Sequence, residues 1–217
     1  MATVTSEFEV VLNRMSLVVR KWPGQPLDTA GTLRLMNPDG QDVPLFWVFN
    51  MADELLALAS ALPSSRPIVG MRSLDQIVPS EIWRNAPILQ EIAAHYADLL
   101  LTHFHGRRCV IGGNCQAAAI AARISLELLR GGADVAQFLM LDAEWDQPMP
   151  VPVKMMFGAE SRFNPRLRYG PEQLHARKAQ WAAHFPSCAV TILPGGHGTY
   201  FEQHSVGNLA REIGLQN

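Results

Sequence analysis

Three residues of the chain have side chains suited to act as nucleophile, base and orienting acid. Cys115 lies in Arg107-Arg108-Cys109-Val110-Ile111-Gly112-Gly113-Asn114-Cys115-Gln116-Ala117-Ala118-Ala119-Ile120, which reads as a short apolar strand, a turn crowded with small residues and an Ala-rich helix. At the apex of such a turn a thiol stands clear of its neighbours, and the helix N-terminus behind it favours a thiolate. The backbone N–H of the next residue, Gln116, can point at a developing oxyanion. Gly113 and Ala117 are small, as a close approach of strand and helix demands. A cysteine in a βα turn is also compatible with an inert core residue, so its partners matter. Asp142 ends the next apolar run, Val135–Leu141, and His197 sits in Gly195-Gly196-His197-Gly198 just past the last one, Ala189–Leu193. Asp146 is a rival acid; Asp142 is favoured because it directly ends its strand.

The elements that would position these residues alternate along the chain. Thr32–Met36 and Val43–Phe49, separated by Asn37-Pro38-Asp39-Gly40, predict a hairpin. Helices are predicted over 53–62, 88–104, 116–130, 171–185 and 201–213, and further strands over 67–71, 107–112, 135–141, 151–158 and 189–193. Residues 72–85 read as a loop. Apolar strands alternating with helices indicate a mainly parallel sheet covered on both faces. Residues 1–28 are ambiguous between helix and strand and end in Trp22-Pro23-Gly24-Gln25-Pro26, so they are set apart as a leader or linker; 29–217 is expected to be a single domain.

The totals narrow the function classes. The 217 residues suffice for one sizeable core. A net charge of −2, with basic residues only in scattered pairs, gives no electrostatic reason to expect a nucleic-acid or membrane partner. No apolar run approaches the ~20 residues that a membrane span needs. Three widely spaced cysteines suggest neither a disulfide framework nor a zinc site, and a cytoplasmic setting is expected. His103-Phe104-His105 offers two imidazoles with no evident third ligand, so no metal is expected. Trp145, Met149, Met155 and Met156 could line an acyl pocket or simply pack.

Strand, sharp turn and helix around Gly113-Asn114-Cys115-Gln116-Ala117, with the order nucleophile, acid, histidine, is the pattern of an α/β-hydrolase. From Leu45 onward the chain resembles the thioesterase domains that terminate or edit nonribosomal peptide and polyketide assembly lines. The segments that carry the resemblance are Pro44-Leu45-Phe46-Trp47-Val48, Pro67-Ile68-Val69-Gly70-Met71, Ile111 to Ala118, Leu141-Asp142 and Pro194-Gly195-Gly196-His197. It implies an α/β-hydrolase fold and a triad of Cys115, His197 and Asp142. It also implies an oxyanion hole built from the backbone N–H groups of Gln116 and Met51, although Asn50-Met51-Ala52-Asp53 lacks the usual glycine-rich loop. The implied substrates are acyl thioesters on an acyl or peptidyl carrier protein or on CoA. The chain would need no cofactor of its own, and the phosphopantetheine would belong to the substrate. Two departures stand out: cysteine replaces the usual serine, and only Ala143–Pro150 separates Asp142 from Val151, leaving almost no room for a lid. Cysteine at this position also fits an acyl or aminoacyl shuttle between carrier proteins. A degenerate hydrolase-fold binding protein is the alternative from outside enzymology.

Overall fold

The computed structural model describes residues 6–79 and 86–214. Helix α1 (Glu7–Val19) opens with a reciprocal cap: the Glu9 N–H donates to Ser6 Oγ, and the Ser6 N–H donates to the Glu9 carboxylate. Next come β1 (Gln25–Pro26), β2 (Leu33–Met36), β3 (Leu45–Phe49), α2 (Ala52–Ala61), β4 (Ile68–Arg72) and α3 (Ala86–Phe104). The second half contains β5 (Cys109–Asn114), α4 (Ala117–Arg130), β6 (Val135–Leu141), β7 (Val153–Gly158), α5 (Pro165–Arg168), α6 (Pro171–His184), β8 (Cys188–Leu193) and α7 (Val206–Gly214).

The strands form one eight-stranded sheet in the order β1-β2-β4-β3-β5-β6-β7-β8. From β4 onward every pairing is parallel; β2 alone runs against the other strands, antiparallel to both β1 and β4. This is the α/β-hydrolase fold with a reduced lid. The hairpin predicted from 32–49 does not form. β2 pairs with β4, while β3 lies between β4 and β5. All five residues of β3 are buried. A strand apolar on both faces gains more from two parallel neighbours inside the sheet than from one antiparallel partner at its edge.

Strand alternation divides the core into two layers. Phe46, Val48, Ile111, Phe138 and Met140 face α1, α3, α4 and α6, where Met15, Ile92, Ile124 and Trp181 close the packing. Leu45, Trp47, Phe49, Leu139 and Leu141 face the other way, onto Leu55 and Leu58 of α2 and Leu209 and Ile213 of α7. The segment set apart as a leader carries α1 and β1; Val11 and Met15 pack into the first layer, and β1 extends the sheet. Of the 72–85 loop, residues 80–85 lie outside the described residues. Among the described residues no helix is long and apolar enough to cross a membrane.

Candidate active site

Two adjacent strands end in the same manner. β5 runs to Asn114, and the Cys115 N–H still joins the ladder, donating to the Leu141 carbonyl at 2.7 Å. Cys115 itself turns into the left-handed region, at φ 53°. One strand over, the Asp142 N–H donates to the Met156 carbonyl at 2.8 Å, and Asp142 adopts φ 51°. Left-handed backbone costs an ordinary residue roughly 1–2 kcal/mol, so each turn is held against local preference by the sheet beside it. Both side chains are thereby thrown up above the C-terminal edge of the sheet, where open α/β sheets bind ligands.

The turn at Cys115 is tight against Gly113. A Cβ there would sit 3.0 Å from the carbonyl carbon and oxygen of Ala117. Gly113→Val is therefore expected to push strand and helix apart, at about 1–3 kcal/mol. The urea midpoint should fall at an unchanged m-value, and any reaction at Cys115 should slow with it. An unchanged midpoint would mean that the turn has slack.

Asp142 is the most heavily solvated group in the site, and the solvation comes from protein. Its side chain is 1% exposed. Oδ2 accepts from His197 Nδ1 at 2.8 Å, Tyr200 Oη at 2.6 Å and Ser161 Oγ at 2.9 Å, and Oδ1 accepts from the Gly158 N–H at 3.3 Å. Burial, and then Asp142 itself, push the Tyr200 phenol well above its ordinary range, so it stays a donor. A Cβ at Gly158 would collide with the Tyr200 hydroxyl and the Gly195 carbonyl, which makes glycine obligatory there. With Nδ1 engaged on the carboxylate, the hydrogen-bond network leaves His197 Nε2 as the basic nitrogen. The Phe163 ring meets His197 edge-on at 5.0 Å and fixes its plane.

Cys115, Gln116, Asp142 and His197 line one cavity of about 180 Å³, together with Asn50, Glu54, Asp75, Asn114, Tyr200 and Phe201. Burial pushes the Cys115 thiol up, and the Gln116 backbone N–H pulls the other way. Burial is the larger of the two. A thiol held neutral at rest needs a base to take its proton as it attacks. Its Sγ lies 3.6 Å from Gln116 Oε1.

Met51 is the N-cap of α2, and its side chain is exposed. Its N–H donates to Glu54 Oε2 at 3.2 Å, and the Asn50 N–H donates to the same oxygen at 2.7 Å. Glu54 Oε1 accepts from Asn114 Nδ2 at 3.1 Å, and Asn114 Oδ1 accepts from Trp47 Nε1 at 3.2 Å. A carboxylate thus occupies the N–H groups at the start of α2 and is tied to Asn114, the residue just before Cys115. Burial raises the Glu54 pKa despite these donors.

Glu54, Asn114, Ser161 and Tyr200 escape sequence reasoning. Glu54 had a readable signal, since it stands three residues after the N-cap of α2. Ser161 and Tyr200 had none, because only the folded sheet brings residues 142, 161 and 200 together. The rival acid Asp146 pairs instead with Arg177, at 2.8 Å. Trp145, Met149, Met155 and Met156 are core packing. Among the described residues no group of three His, Cys, Asp or Glu side chains is placed to hold a metal ion.

No family model matches the chain, and no curated protein matches it significantly. Solved structures do. The NocB thioesterase domain from the nocardicin cluster superposes with a TM-score of 0.63 at 15% identity, covering 84% of this chain and 96% of that one. The thioesterase domain SrfTE, described in the cyclization of the lipopeptide antibiotic surfactin, gives 0.59 at 14% identity, covering 89% and 98%. RedJ, with a polyethylene glycol molecule bound in its active site, gives 0.61 at 13%, covering 83% and 93%. The shared feature is the fold.

Proposed function

We propose that this protein is a thioesterase-like enzyme that acts on acyl thioesters, carried by an acyl or peptidyl carrier protein or by CoA, through Cys115, His197 and Asp142. The observation that carries this reading is the His197–Asp142 hydrogen bond in the cavity that Cys115 lines. In the first step Cys115 Sγ attacks the thioester carbonyl carbon as His197 Nε2 takes the thiol proton. Asp142 holds the imidazolium that results. Negative charge gathers on the carbonyl oxygen, for which the N–H groups of Gln116 and Met51 are the proposed donors. The bond to the original sulfur then breaks, that sulfur leaves with the proton from His197, and the acyl group remains on Cys115. One thioester has replaced another, so the step is close to thermoneutral and the acyl group stays activated. Water can then release it, or a second thiol or an amine can accept it.

Transfer between carriers, the shuttle variant of this chemistry, is favoured by the short connection after Asp142, which leaves little to exclude a second carrier from the site. A pure binding protein would have no use for a base held by a buried carboxylate with three further donors. The test is to mix the protein with acyl-pantetheine thioesters and follow intact mass. A single acyl adduct that maps to Cys115 is expected, and no adduct with any chain offered would defeat the reading.

Glu54 gives a further expectation. As an anion it competes with a developing oxyanion for the Met51 N–H and repels it. Glu54→Gln keeps an acceptor for both N–H groups, turns its NH₂ toward Asn114 Nδ2 and so gives up that one hydrogen bond, and removes the charge; acylation at neutral pH should quicken roughly tenfold, about 1.4 kcal/mol in barrier. The advantage should shrink as pH falls through the raised Glu54 pKa, because the wild-type carboxyl is then neutral as well. Rapid-quench acylation rates across pH measure this. A slower variant at every pH would mean that the carboxylate serves only to order the loop.

A further inference from the structure

A second hollow adjoins the cavity around Cys115. It lies between α2 and the start of α7, has a volume of about 600 Å³, and is floored by Leu56, Ala57, Ala61, Val206 and Gly207. This is the size range of small-molecule sites. Phe201 lines both hollows, and its ring packs edge-on against Phe49 at 6.1 Å, so one wall is common to them. Leu56, in the lining of the second hollow, remains 48% exposed.

The geometry points to this groove as the binding site for an aliphatic acyl chain, with the carbonyl carbon at Cys115 and the hydrocarbon running past Phe201 between α2 and α7. The inference rests on the thioester reading above. A thioester extends in two directions from its carbonyl, and the 180 Å³ cavity is too small for either a long acyl chain or a pantetheine arm. The two arms differ in what they tolerate. Pantetheine carries amides, which would meet mainly Leu56, Ala57, Ala61 and Val206, with Ser60 and Gln203 as the uncharged polar side chains of the lining, at a desolvation cost that an alkyl chain does not incur. Asp53 also lines the groove, and its carboxylate is unfavourable to a phosphate-bearing arm. An alkyl chain has neither handicap, and each methylene buried along the groove should tighten binding about fourfold.

Gly207 offers the cleanest test, because a Cβ added there meets nothing within 4 Å and its φ lies outside the left-handed region. Second-order acylation rates of Cys115 would be measured by intact mass for straight-chain acyl-pantetheines from acetyl to dodecanoyl. In the wild type the rate should climb about three- to fourfold per methylene before levelling off. In Gly207→Leu the climb should stop several carbons earlier, with the acetyl rate unchanged. Leu56→Glu, at an exposed position, should flatten the climb without moving the acetyl rate. A wild-type series that is flat while acetyl reacts overturns the groove but leaves the triad standing. Equal loss for acetyl and dodecanoyl in both variants also overturns it. A wild-type dimer in sedimentation that Gly207→Leu dissociates assigns the groove to a second copy instead. No acylation with any chain, acetyl included, sinks the enzymatic reading and the groove with it.

Discussion

Cys115→Ala is expected to abolish acyl-enzyme formation, with no adduct in the intact-mass assay at any chain length. Turnover should fall by about 10⁴-fold or more, to whatever the remaining cavity provides. The variant should fold as well as the wild type. Alanine loses only the sulfur, the Cys115 N–H keeps its bond to the Leu141 carbonyl, and the 3.6 Å contact with Gln116 Oε1 is a weak one to lose. A variant that still hydrolysed thioesters at the wild-type rate would move the nucleophile elsewhere. The rates of the wild type bear on mechanism too. Burial sets the resting thiol above its ordinary pKa, so alkylation by a reagent that uses no base from the protein should rise as pH climbs through that raised value. Acylation by a thioester, assisted by His197, should be efficient at lower pH. Coincident profiles would mean that the cysteine is already ionised and His197 is no base.

Asp142→Asn should be damaging in two ways. Asparagine tolerates the left-handed backbone at this position, so the turn itself survives. The amide cannot replace the carboxylate. Oδ2 accepts from His197, Tyr200 and Ser161 while Oδ1 accepts from the Gly158 N–H. Whichever way the amide is turned, its NH₂ faces a donor. At least one buried donor is left without a partner, at about 1–3 kcal/mol of stability. The imidazolium loses its counter-charge and its fixed tautomer, at about 10⁴-fold in kcat. Calorimetric unfolding and single-turnover acylation separate the two losses. A variant with wild-type acylation would show that the carboxylate only braces the loop from 158 to 161.

How much of this was legible in the sequence depends on the distance over which each feature is decided. The strand Val135–Leu141 was bounded correctly by its own apolar run. Gly113 and Ala117 betrayed the elbow because a tight turn restricts residue size locally. Cys115, Asp142 and His197 could be aligned because the first two follow directly on a strand and His197 lies on the short loop after β8, and strands in a parallel sheet deliver their ends to one edge. The failures share a cause as well. Leu33–Met36 and Leu45–Phe49 look like two arms of a hairpin, since a turn lies between them; that β4 separates them depends on residues 68–72, further along the chain. The last helix begins at Val206, not at 201, because residues 201–205 form turns that place Phe201 against the site. Tyr200 and Ser161 meet only at a carboxylate distant in sequence from both, and nothing in their own neighbourhood announces that meeting.

The left-handed backbone at residue 115 also limits which chemistry the site could ever adopt. A branched Cβ is hardest to accommodate at positive φ, so threonine is closed to this turn, and lysine or tyrosine would overrun a cavity of about 180 Å³. Serine, cysteine and aspartate fit both the main chain and the space, and the first two differ by a single atom. For a lineage carrying this turn, moving between an ester and a thioester intermediate is therefore a one-step change that leaves the scaffold untouched, and the choice between releasing a cargo and handing it on could be revised without redesigning anything else.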